Sequence, residues 1–434
     1  MDLAGKYLLY LYVALVPLMK IPKLSFMGDK LQYCDLIFVP LFIIFTIKAV
    51  KGKSEMIRDK IFVFIIILAF VSVLSLFSSP YKNEVYLDTL GLLYLLAVYF
   101  VITNLMMGRK TLLGVNSILS ISGALISLLG IIFFISYNFF NMRWLAPFMY
   151  AKVSDTQTAL LPFRRSASLL TLPEMFVNFG LLGLACLFIL QNKQHKKAAR
   201  SIVNLLIVIV ILAAFLAFGR SLIGMMLLCS ALAFRARKRS PISYCIFIIC
   251  VSIFSFLFLS AAILWFYTIV PASFSIDASG MARLSFNARW DTRYYLAKAG
   301  LIMGSRHPWL GSGLGSFTNH FSTFLSQEDL SALASRRGEP IDSMRIDPHS
   351  LYFGAIAEIG WVGLFLLLSF FLCIIARLGK RIRTEYACYV FFFAVLGYLI
   401  NGLFVDVMSM RSLWLVLSLG TSFVHLSGEG QERR

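Results

Sequence analysis

The sequence predicts an all-α polytopic membrane protein with about twelve transmembrane helices, and its composition is the first reason. Of the 434 residues, 59% are hydrophobic and only 14% are charged, which is more apolar surface than a soluble domain of this size can bury. The second reason is that the apolar residues form runs near the length of about 20 residues that a membrane-spanning helix needs. Because lipid offers the backbone no hydrogen-bond partners, and alternating barrel-type segments are absent, we expect these runs to be helices.

Twelve apolar runs follow one another along the chain. They cover residues 7–19, 33–47, 61–78, 87–106, 111–136, 173–191, 201–217, 221–234, 241–270, 348–376, 385–404 and 411–426. We predict three parts: transmembrane helices 1–9 in residues 1–270, a large loop with an amphipathic helix in residues 271–347, and helices 10–12 with a short tail in residues 348–434. The large loop therefore lies between the ninth and tenth spans.

Positive charge predicts the orientation of the chain. With both termini in the cytoplasm, 22 of the 40 Lys and Arg residues lie in inner segments, and eight of the other 18 lie in residues 271–345. Long loops cross a membrane regardless of their charge, so the short loops decide, and they carry 22 inner against 10 outer cations. We therefore expect cytoplasmic termini and a large loop on the opposite face.

The type of cation in the large loop points to its ligand. Residues 271–345 contain seven Arg and one Lys. The planar guanidinium of Arg binds phosphate oxygens two at a time, whereas Lys acts as a point charge. The net charge of +19 does not indicate nucleic-acid binding, because the basic residues are divided among loops on an extracytoplasmic face. The pattern favours an anionic, lipid-attached substrate.

An amphipathic helix is predicted at Arg289–Gly304. Its apolar residues recur at the spacing of one helical face: Trp290, Tyr294, Ala297 and Leu301. Arg289 and Arg293 are four residues apart and would share the adjacent face. The helix would lie along the membrane and present two guanidinium groups together, either to a substrate or only to lipid headgroups.

A run of glycines follows the predicted helix, at Gly311, Gly313 and Gly315. A nucleotide-binding loop is not supported, because no predicted strand precedes the run and no nucleotide pool is expected on that face. Glycine instead permits tight turns and a close approach of the backbone to a ligand or a neighbouring helix.

Arginines also stand at the ends of apolar runs. Arg220 lies in a turn of one or two residues between two apolar helices, where a cation is costly unless it is paired or hydrated. It is therefore a functional candidate, and the alternative is an interfacial anchor. Arg164 and Arg165, ahead of the sixth span, have the same two interpretations, substrate binding or contact with headgroups. Arg345 and Asp347, at the end of the large loop, are further candidates for substrate binding.

His349 is the strongest candidate for proton transfer. It follows Pro348, a residue that favours the first turn of a helix, so we expect the imidazole at the outer end of the tenth span. A neutral imidazole near pH 7 can accept a hydroxyl proton. His307 and His320 are alternatives. A zinc site formed by the three histidines and Asp347 is conceivable, but no close ligand spacing supports it.

Three segments together resemble a known family. Arg289–Phe317 contains the pattern R…W…HP-L-G-G-L-G-F, and Pro348-His349-Ser350-Leu351-Tyr352 is followed by Glu358-Ile359-Gly360-x-x-Gly363. With Arg220 in its helix-turn-helix setting, these segments resemble the O-antigen ligase and polymerase superfamily of bacterial envelopes. The resemblance is specific over roughly 75 residues, and the predicted topology agrees with the family along the whole chain.

The resemblance implies a fold, an activity and a site. It implies a membrane-embedded, GT-C-type glycosyltransferase of the bacterial inner membrane that needs no metal or cofactor and works at the periplasmic face. The donor would be a glycan on undecaprenyl diphosphate, and the acceptor a hydroxyl of the lipid A–core oligosaccharide. By resemblance, the catalytic residues would be His349, Arg220 and Arg289. By the same resemblance, Arg164 or Arg165 would bind the substrate, and Arg293, Arg345 and Asp347 are further substrate-binding candidates by their positions in or beside the large loop.

The chemistry of these residue types suits such a transfer. Breaking the bond between sugar and diphosphate leaves negative charge on the departing phosphate, which fixed guanidinium groups can stabilise. If His349 accepts the proton of the attacking hydroxyl, attack from the opposite side of the anomeric carbon predicts inversion of configuration.

Two other functions remain open at this stage. A polymerase of the same superfamily would pass the glycan to another repeat unit, and its R-x10-G motif is met both by Arg289 with Gly300 and by Arg293 with Gly304. A flippase for lipid-linked oligosaccharides would also have about twelve helices. It would need charged residues within several helices, and such residues are scarce in this sequence.

Overall fold

A computed structural model describes most of the chain. The described residues are 3–19, 31–52, 60–150, 165–170, 172–217, 219–236, 241–276, 282–337, 340 and 344–432. They form these helices: α1 (Leu3–Leu15), α2 (Tyr33–Val50), α3 (Lys60–Ser78), α4 (Lys82–Leu105), α5 (Arg109–Asn138), α6 (Pro173–Lys193), α7 (Lys197–Leu216), α8 (Leu222–Ala236), α9 (Pro241–Phe266), α10 (Thr292–Arg306), α11 (Ser316–His320), α12 (Gln327–Arg337), α13 (Leu351–Arg381), α14 (Tyr386–Asn401) and α15 (Arg411–Glu432).

The protein is a polytopic helical membrane protein. Every predicted apolar run forms a helix, namely α1–α9 and α13–α15. Six helical segments among the described residues are long and apolar enough to cross a bilayer: Tyr33–Val50, Val85–Leu105, Arg109–Asn138, Pro173–Lys193, Lys197–Leu216 and Leu351–Arg381. The helices α1, α3, α8, α9 and α14 contain shorter apolar segments. Twelve membrane crossings therefore remain a prediction.

The helix α6 lies at the centre of the bundle. Fourteen of its 21 residues are buried, and it packs against α5, α7 and α14. Glycines allow the closest approaches: a Cβ atom on Gly123 of α5 would lie 2.8 Å from the Cα of Gly183 in α6. Small residues let helix backbones pack closely where lipid gives apolar side chains no preference for the interior.

Several polar contacts between segments lie at one end of the bundle. We call it the loop face; it contains residues 79–81, 165–170, 219–221, 344–350 and 402–410. Ser350 Oγ donates to the carbonyl of Gly402 at 3.3 Å, and Ser79 Oγ donates to the carbonyl of Ser312 in the large loop at 2.5 Å. A buried ion pair between Asp35 of α2 and Arg411 of α15, at 2.6 Å, holds two further helices together at this end.

The large loop contains a hairpin that we did not predict. Strand β3 (Tyr267–Ile276) pairs antiparallel with β4 (Ala282–Trp290). A two-residue pair, β1 (Met149–Tyr150) with β2 (Arg165–Ser166), is a second departure from an all-α structure. The residues of β4 alternate between apolar and polar, Leu284, Phe286, Ala288 and Trp290 against Arg283, Ser285, Asn287 and Arg289. This period of two is typical of a strand and was the available signal.

The predicted amphipathic helix exists, but it begins three residues later than expected. The helix α10 starts at Thr292, with Asp291 as its N-cap, and Arg289 lies in β4 opposite Thr268. The expectation that Arg289 and Arg293 share a helical face is therefore wrong. The strand pattern and the helix pattern overlap in this part of the sequence. The two-residue alternation of β4 continues through Trp290, and the helix starts only where the Asp291 side chain accepts a hydrogen bond from the Arg293 amide.

Much of α10 packs on protein. Its buried residues form a small separate core with α11, α12 and the 3₁₀ turn Phe321–Phe324. Gly300 and Gly304 let α10 approach α13 closely, since a Cβ atom on either would lie 3.0 Å from the carbonyl oxygen of Phe353 or Ile356. The large loop is thereby fastened to the first turns of α13.

Candidate active site at the loop face

The helix α13 is interrupted at Gly360, and the glycine run fills the interruption. Gly360 has a φ of 69°, in the left-handed region. The backbone amides of Ser312 and Gly313 donate to the carbonyls of Ala357 and Glu358, both at 2.9 Å, and the amide of Trp361 donates to the carbonyl of Pro308 at 2.9 Å. The loop therefore supplies the hydrogen bonds that the broken helix lacks.

Only glycine fits this contact. Gly311 has a φ of 68°, and a Cβ atom there would lie 2.5 Å from the backbone nitrogen of Ile359. A Cβ atom on Gly360 would lie 2.6 Å from the carbonyl oxygen of Trp309. The prediction that these glycines permit a close approach to a neighbouring helix is confirmed.

Four carboxylates gather around the filled interruption. Glu358 Oε1 accepts a hydrogen bond from the Phe317 amide at 3.4 Å, and its carboxyl group lies near those of Asp88 and Asp406. Burial raises the pKa of Asp406, and the charges of Asp347 and Asp88 raise it further, while a hydrogen bond from the Met408 amide opposes them. This part of the loop face is acidic.

A second group of charges surrounds Arg220 in the turn between α7 and α8. Arg220 is half-buried, and burial lowers its pKa. The carboxylates of Asp291 and Glu174 oppose that shift, and the nearby guanidinium of Arg165 adds to it. Arg165 is also 3.7 Å from Glu174, within ion-pair distance. An arginine keeps its charge under all these influences, so the turn presents a fixed cation.

A buried network of amide and hydroxyl groups lies beneath Arg220. Asn178 of α6 donates to Ser221 Oγ at 3.2 Å, and Asn401 of α14 donates to Asn178 Oδ1 at 2.8 Å. The amide of Gly224 donates to Asn401 Oδ1 at 3.1 Å, and Tyr398 Oη donates to the carbonyl of Asn178 at 2.5 Å. The side chains of this network are fully buried. It joins three helices directly behind the turn that carries Arg220.

His349 lies at the same end of α14. It precedes α13, which begins at Leu351 with Ser350 as N-cap, and its φ of 48° is left-handed. The expectation that Pro348 stands in the first helical turn is therefore wrong. Gly402, next to Asn401, accepts hydrogen bonds from the Leu351 amide at 2.8 Å and from Ser350 Oγ at 3.3 Å. Asn401, the last residue of α14, and Gly402, its C-cap, thus hold the turn with Arg220 and the segment with His349.

The other residues predicted for the site differ in how far they are buried. Arg293 is half-buried in the first turn of α10, and Arg345 is exposed. Asp347 Oδ1 accepts a hydrogen bond from Thr318 Oγ1 at 2.9 Å. Arg164 and the side chain of Arg289 lie outside the described part of the structure.

Sequence reasoning missed three residues of this site, namely Asn178, Asn401 and Asp291. The first two were visible as polar residues in or at the end of apolar runs, NFGLLG and LINGLF. Buried polar groups in such runs are expected to hydrogen-bond across helices. Their partners are far away in sequence, so the sequence alone could not pair them.

Residues 205–368 match the model of the O-antigen ligase family. Over this range, which is less than half of the chain, the sequence is similar to an O-antigen ligase domain. The matched range includes Arg220, Arg289 and His349, so the resemblance first seen in three short segments is confirmed over a continuous region. No curated protein matches the chain. The family match points to a glycosyltransferase-like membrane enzyme of the ligase or polymerase type. The loop face is its candidate active site, because Arg220 and His349 lie there.

Proposed function

We propose that the protein is a glycosyltransferase of the O-antigen ligase type. It moves a glycan from undecaprenyl diphosphate to a hydroxyl of the lipid A–core oligosaccharide, with inversion and without a metal or cofactor. One observation carries the proposal: Asn401 and Gly402 hold the segments of Arg220 and His349 side by side at one end of the bundle. A fixed cation and an imidazole are the two groups that this transfer needs.

In this mechanism Arg220 binds the diphosphate of the donor. Its turn leads directly into α8, and the N-terminal ends of α6 and α13 lie at the same face, where helix dipoles favour an anion. Arg165 lies near enough to add charge. We assign Arg289 and Arg164 to the same binding region on the basis of the resemblance, and Arg293 and Arg345 as further arginines of the large loop. Together these groups stabilise the negative charge that develops on the leaving phosphate.

His349 acts as the general base. The acceptor oxygen attacks the anomeric carbon, the bond from that carbon to the phosphate oxygen breaks, and the hydroxyl proton passes to the imidazole. The products are the new glycoside and undecaprenyl diphosphate. Asp347, two residues earlier, lies in the acidic part of the face and is assigned to the acceptor glycan, whose hydroxyls can donate to a carboxylate.

The membrane arrangement is part of the proposal. Twelve crossings with both termini in the cytoplasm place the loop face in the periplasm and the protein in the inner membrane. A Ser331→Cys variant without native cysteines should then react with an impermeant maleimide from the periplasm. Ser201→Cys, in an exposed position at the start of α7, should not react, and the reverse pattern would refute this orientation.

Catalysis is tested with purified protein, an undecaprenyl-diphosphate-linked glycan and lipid A–core. His349→Ala should lower transfer by about 10²–10⁴-fold because it removes the base. Arg220→Lys should lower transfer by about 10²–10³-fold because the point charge of an ammonium replaces the planar guanidinium that binds two phosphate oxygens. The matched controls are His307→Ala and Arg306→Lys, in the same loop, which should retain activity. Activity of either site variant equal to its control would refute that residue's role.

The choice of acceptor separates ligase from polymerase. Transfer to lipid A–core supports the ligase, whereas transfer only to a second lipid-linked repeat unit would replace it with the polymerase. Movement of the intact donor across a vesicle membrane without any transfer would instead indicate a flippase.

A further inference from the structure

The buried amides Asn178 and Asn401 have no role in the chemistry described above. We propose that Asn401 is a positioning residue, which holds the turn that presents Arg220 in a fixed relation to the segment that presents His349. This inference rests on the proposed function, because it concerns the geometry of the same transfer site. It follows from three contacts of α14.

The first contact reaches the start of α8. The amide of Gly224 donates to Asn401 Oδ1 at 3.1 Å. The first amides of a helix have no partner within the helix and need a cap. Here that cap comes from another helix, so the first turn of α8 is oriented by α14. The backbones are also in close contact, since a Cβ atom on Gly224 would lie 2.5 Å from the carbonyl oxygen of Gly397.

The second contact reaches the residue next to Arg220. Asn401 Nδ2 donates to Asn178 Oδ1 at 2.8 Å, and Asn178 Nδ2 donates to Ser221 Oγ at 3.2 Å. Both polar atoms of the Asn401 amide are therefore engaged: Oδ1 bonds Gly224 directly, and Nδ2 bonds Asn178, which in turn bonds Ser221. The turn is held by directional bonds between fully buried side chains, where such bonds are costly to lose.

The third contact reaches the residue next to His349. The carbonyl of Gly402 accepts from the Leu351 amide at 2.8 Å and from Ser350 Oγ at 3.3 Å. A displacement at the end of α14 therefore moves Gly402 and Asn401 together. The separation of the cation and the imidazole depends on two adjacent residues, neither of which touches the substrate in the proposed mechanism.

The test compares Asn401→Ala with a matched control elsewhere in the bundle. Asn116 of α5 is also buried, and its Nδ2 donates across a helix interface to the carbonyl of Cys186 at 3.1 Å. Asn116→Ala thus removes one buried interhelical amide away from the site. A third variant, Asn401→Asp, keeps the acceptor for Gly224 and loses the donor to Asn178.

Two readouts are measured in lipid nanodiscs: kcat and KM for glycan transfer, and hydrogen–deuterium exchange in residues 219–224 and 349–351. Asn401→Ala should lower kcat by about 10–100-fold with a smaller change in KM, because misplacement of reacting groups acts on the chemical step. It should also accelerate exchange in both segments. Asn401→Asp should fall between Ala and the wild type, and Asn116→Ala should stay within about twofold of the wild type.

Equal kcat for Asn401→Ala and the wild type, or an equal loss in Asn116→Ala, would overturn the positioning role. If Asn401→Ala does not accumulate, Asn401→Asp carries the same comparison. If the wild-type protein transfers no glycan to any acceptor, the proposed function fails. The hydrogen–deuterium exchange data still test the positioning role, because they do not depend on transfer activity. Faster exchange in only one of the two segments would refute the link that Asn401 is proposed to make between them.

Discussion

The glycine run makes a quantitative prediction at Gly311, where the loop enters the interruption of α13. In Gly311→Ala the new Cβ atom meets the backbone of Glu358 and Ile359, which cannot rotate away as a side chain would. The φ of 68° adds strain, because an L-residue in the left-handed region costs about 1–2 kcal/mol. We expect the loop to be displaced from the helix.

The size of the effect follows from the hydrogen bonds that displacement breaks. Three backbone bonds join the loop to α13: Ser312 to Ala357, Gly313 to Glu358 and Trp361 to Pro308. A buried backbone group without a partner costs about 1–3 kcal/mol, so three lost bonds and the strain together destabilise the fold by at least about 4 kcal/mol. That is a large part of a stability of about 5–15 kcal/mol.

The assay is the unfolding midpoint of the purified protein in detergent, with Gly379→Ala as the control. Gly379 lies in the same helix, and a Cβ atom there would be 3.5 Å from Phe392, an ordinary contact. This variant should be neutral or stabilising by about 0.5–1 kcal/mol, because alanine is the better helix former. If Gly311→Ala and Gly379→Ala unfold at the same midpoint, the loop does not support the interruption and the reasoning is refuted.

Two further predictions concern charges near the loop face. Asp35→Asn should destabilise the protein by about 3–5 kcal/mol because it leaves the buried Arg411 unpaired, and thermal unfolding measures this loss. The double variant Asp35→Leu with Arg411→Met should recover most of the lost stability. If it does not, the ion pair is not the cause of the loss. Asp406→Asn keeps the acceptor for the Met408 amide and removes a charge that burial disfavours and that Asp347 and Asp88 repel. The folded-state pKa of Asp406 is raised, so its ionisation opposes folding at neutral pH and ceases to do so as the pH falls towards the ordinary value of about 3.9. The stability gain of Asp406→Asn should be largest near pH 7 and vanish in acid, and a gain independent of pH would contradict this account.

Local sequence patterns predict the helices of the bundle, but they predict the secondary structure of the large loop only in part. The predicted sixth span, residues 173–191, is Pro173–Lys193 in the structure, and the fifth, 111–136, is Arg109–Asn138. The ninth was predicted to reach residue 270 but ends at Phe266, where β3 begins. Apolar length alone cannot distinguish the end of a helix from the start of an apolar strand.

The sequence by itself determined the membrane class, the positions of the apolar helices α1–α9 and α13–α15, and the choice of Arg220 and His349 as candidates. It could do so because apolar run length, flanking charge and isolated cations are local properties that lipid selects directly. Only the tertiary structure decided that Gly311 lies in the interruption of α13, and that Asn401 and Gly402 join the segments of Arg220 and His349. These contacts connect residues as far as 223 positions apart. A hydrogen bond across such a distance depends on how helices pack, and nothing in the neighbouring residues records it.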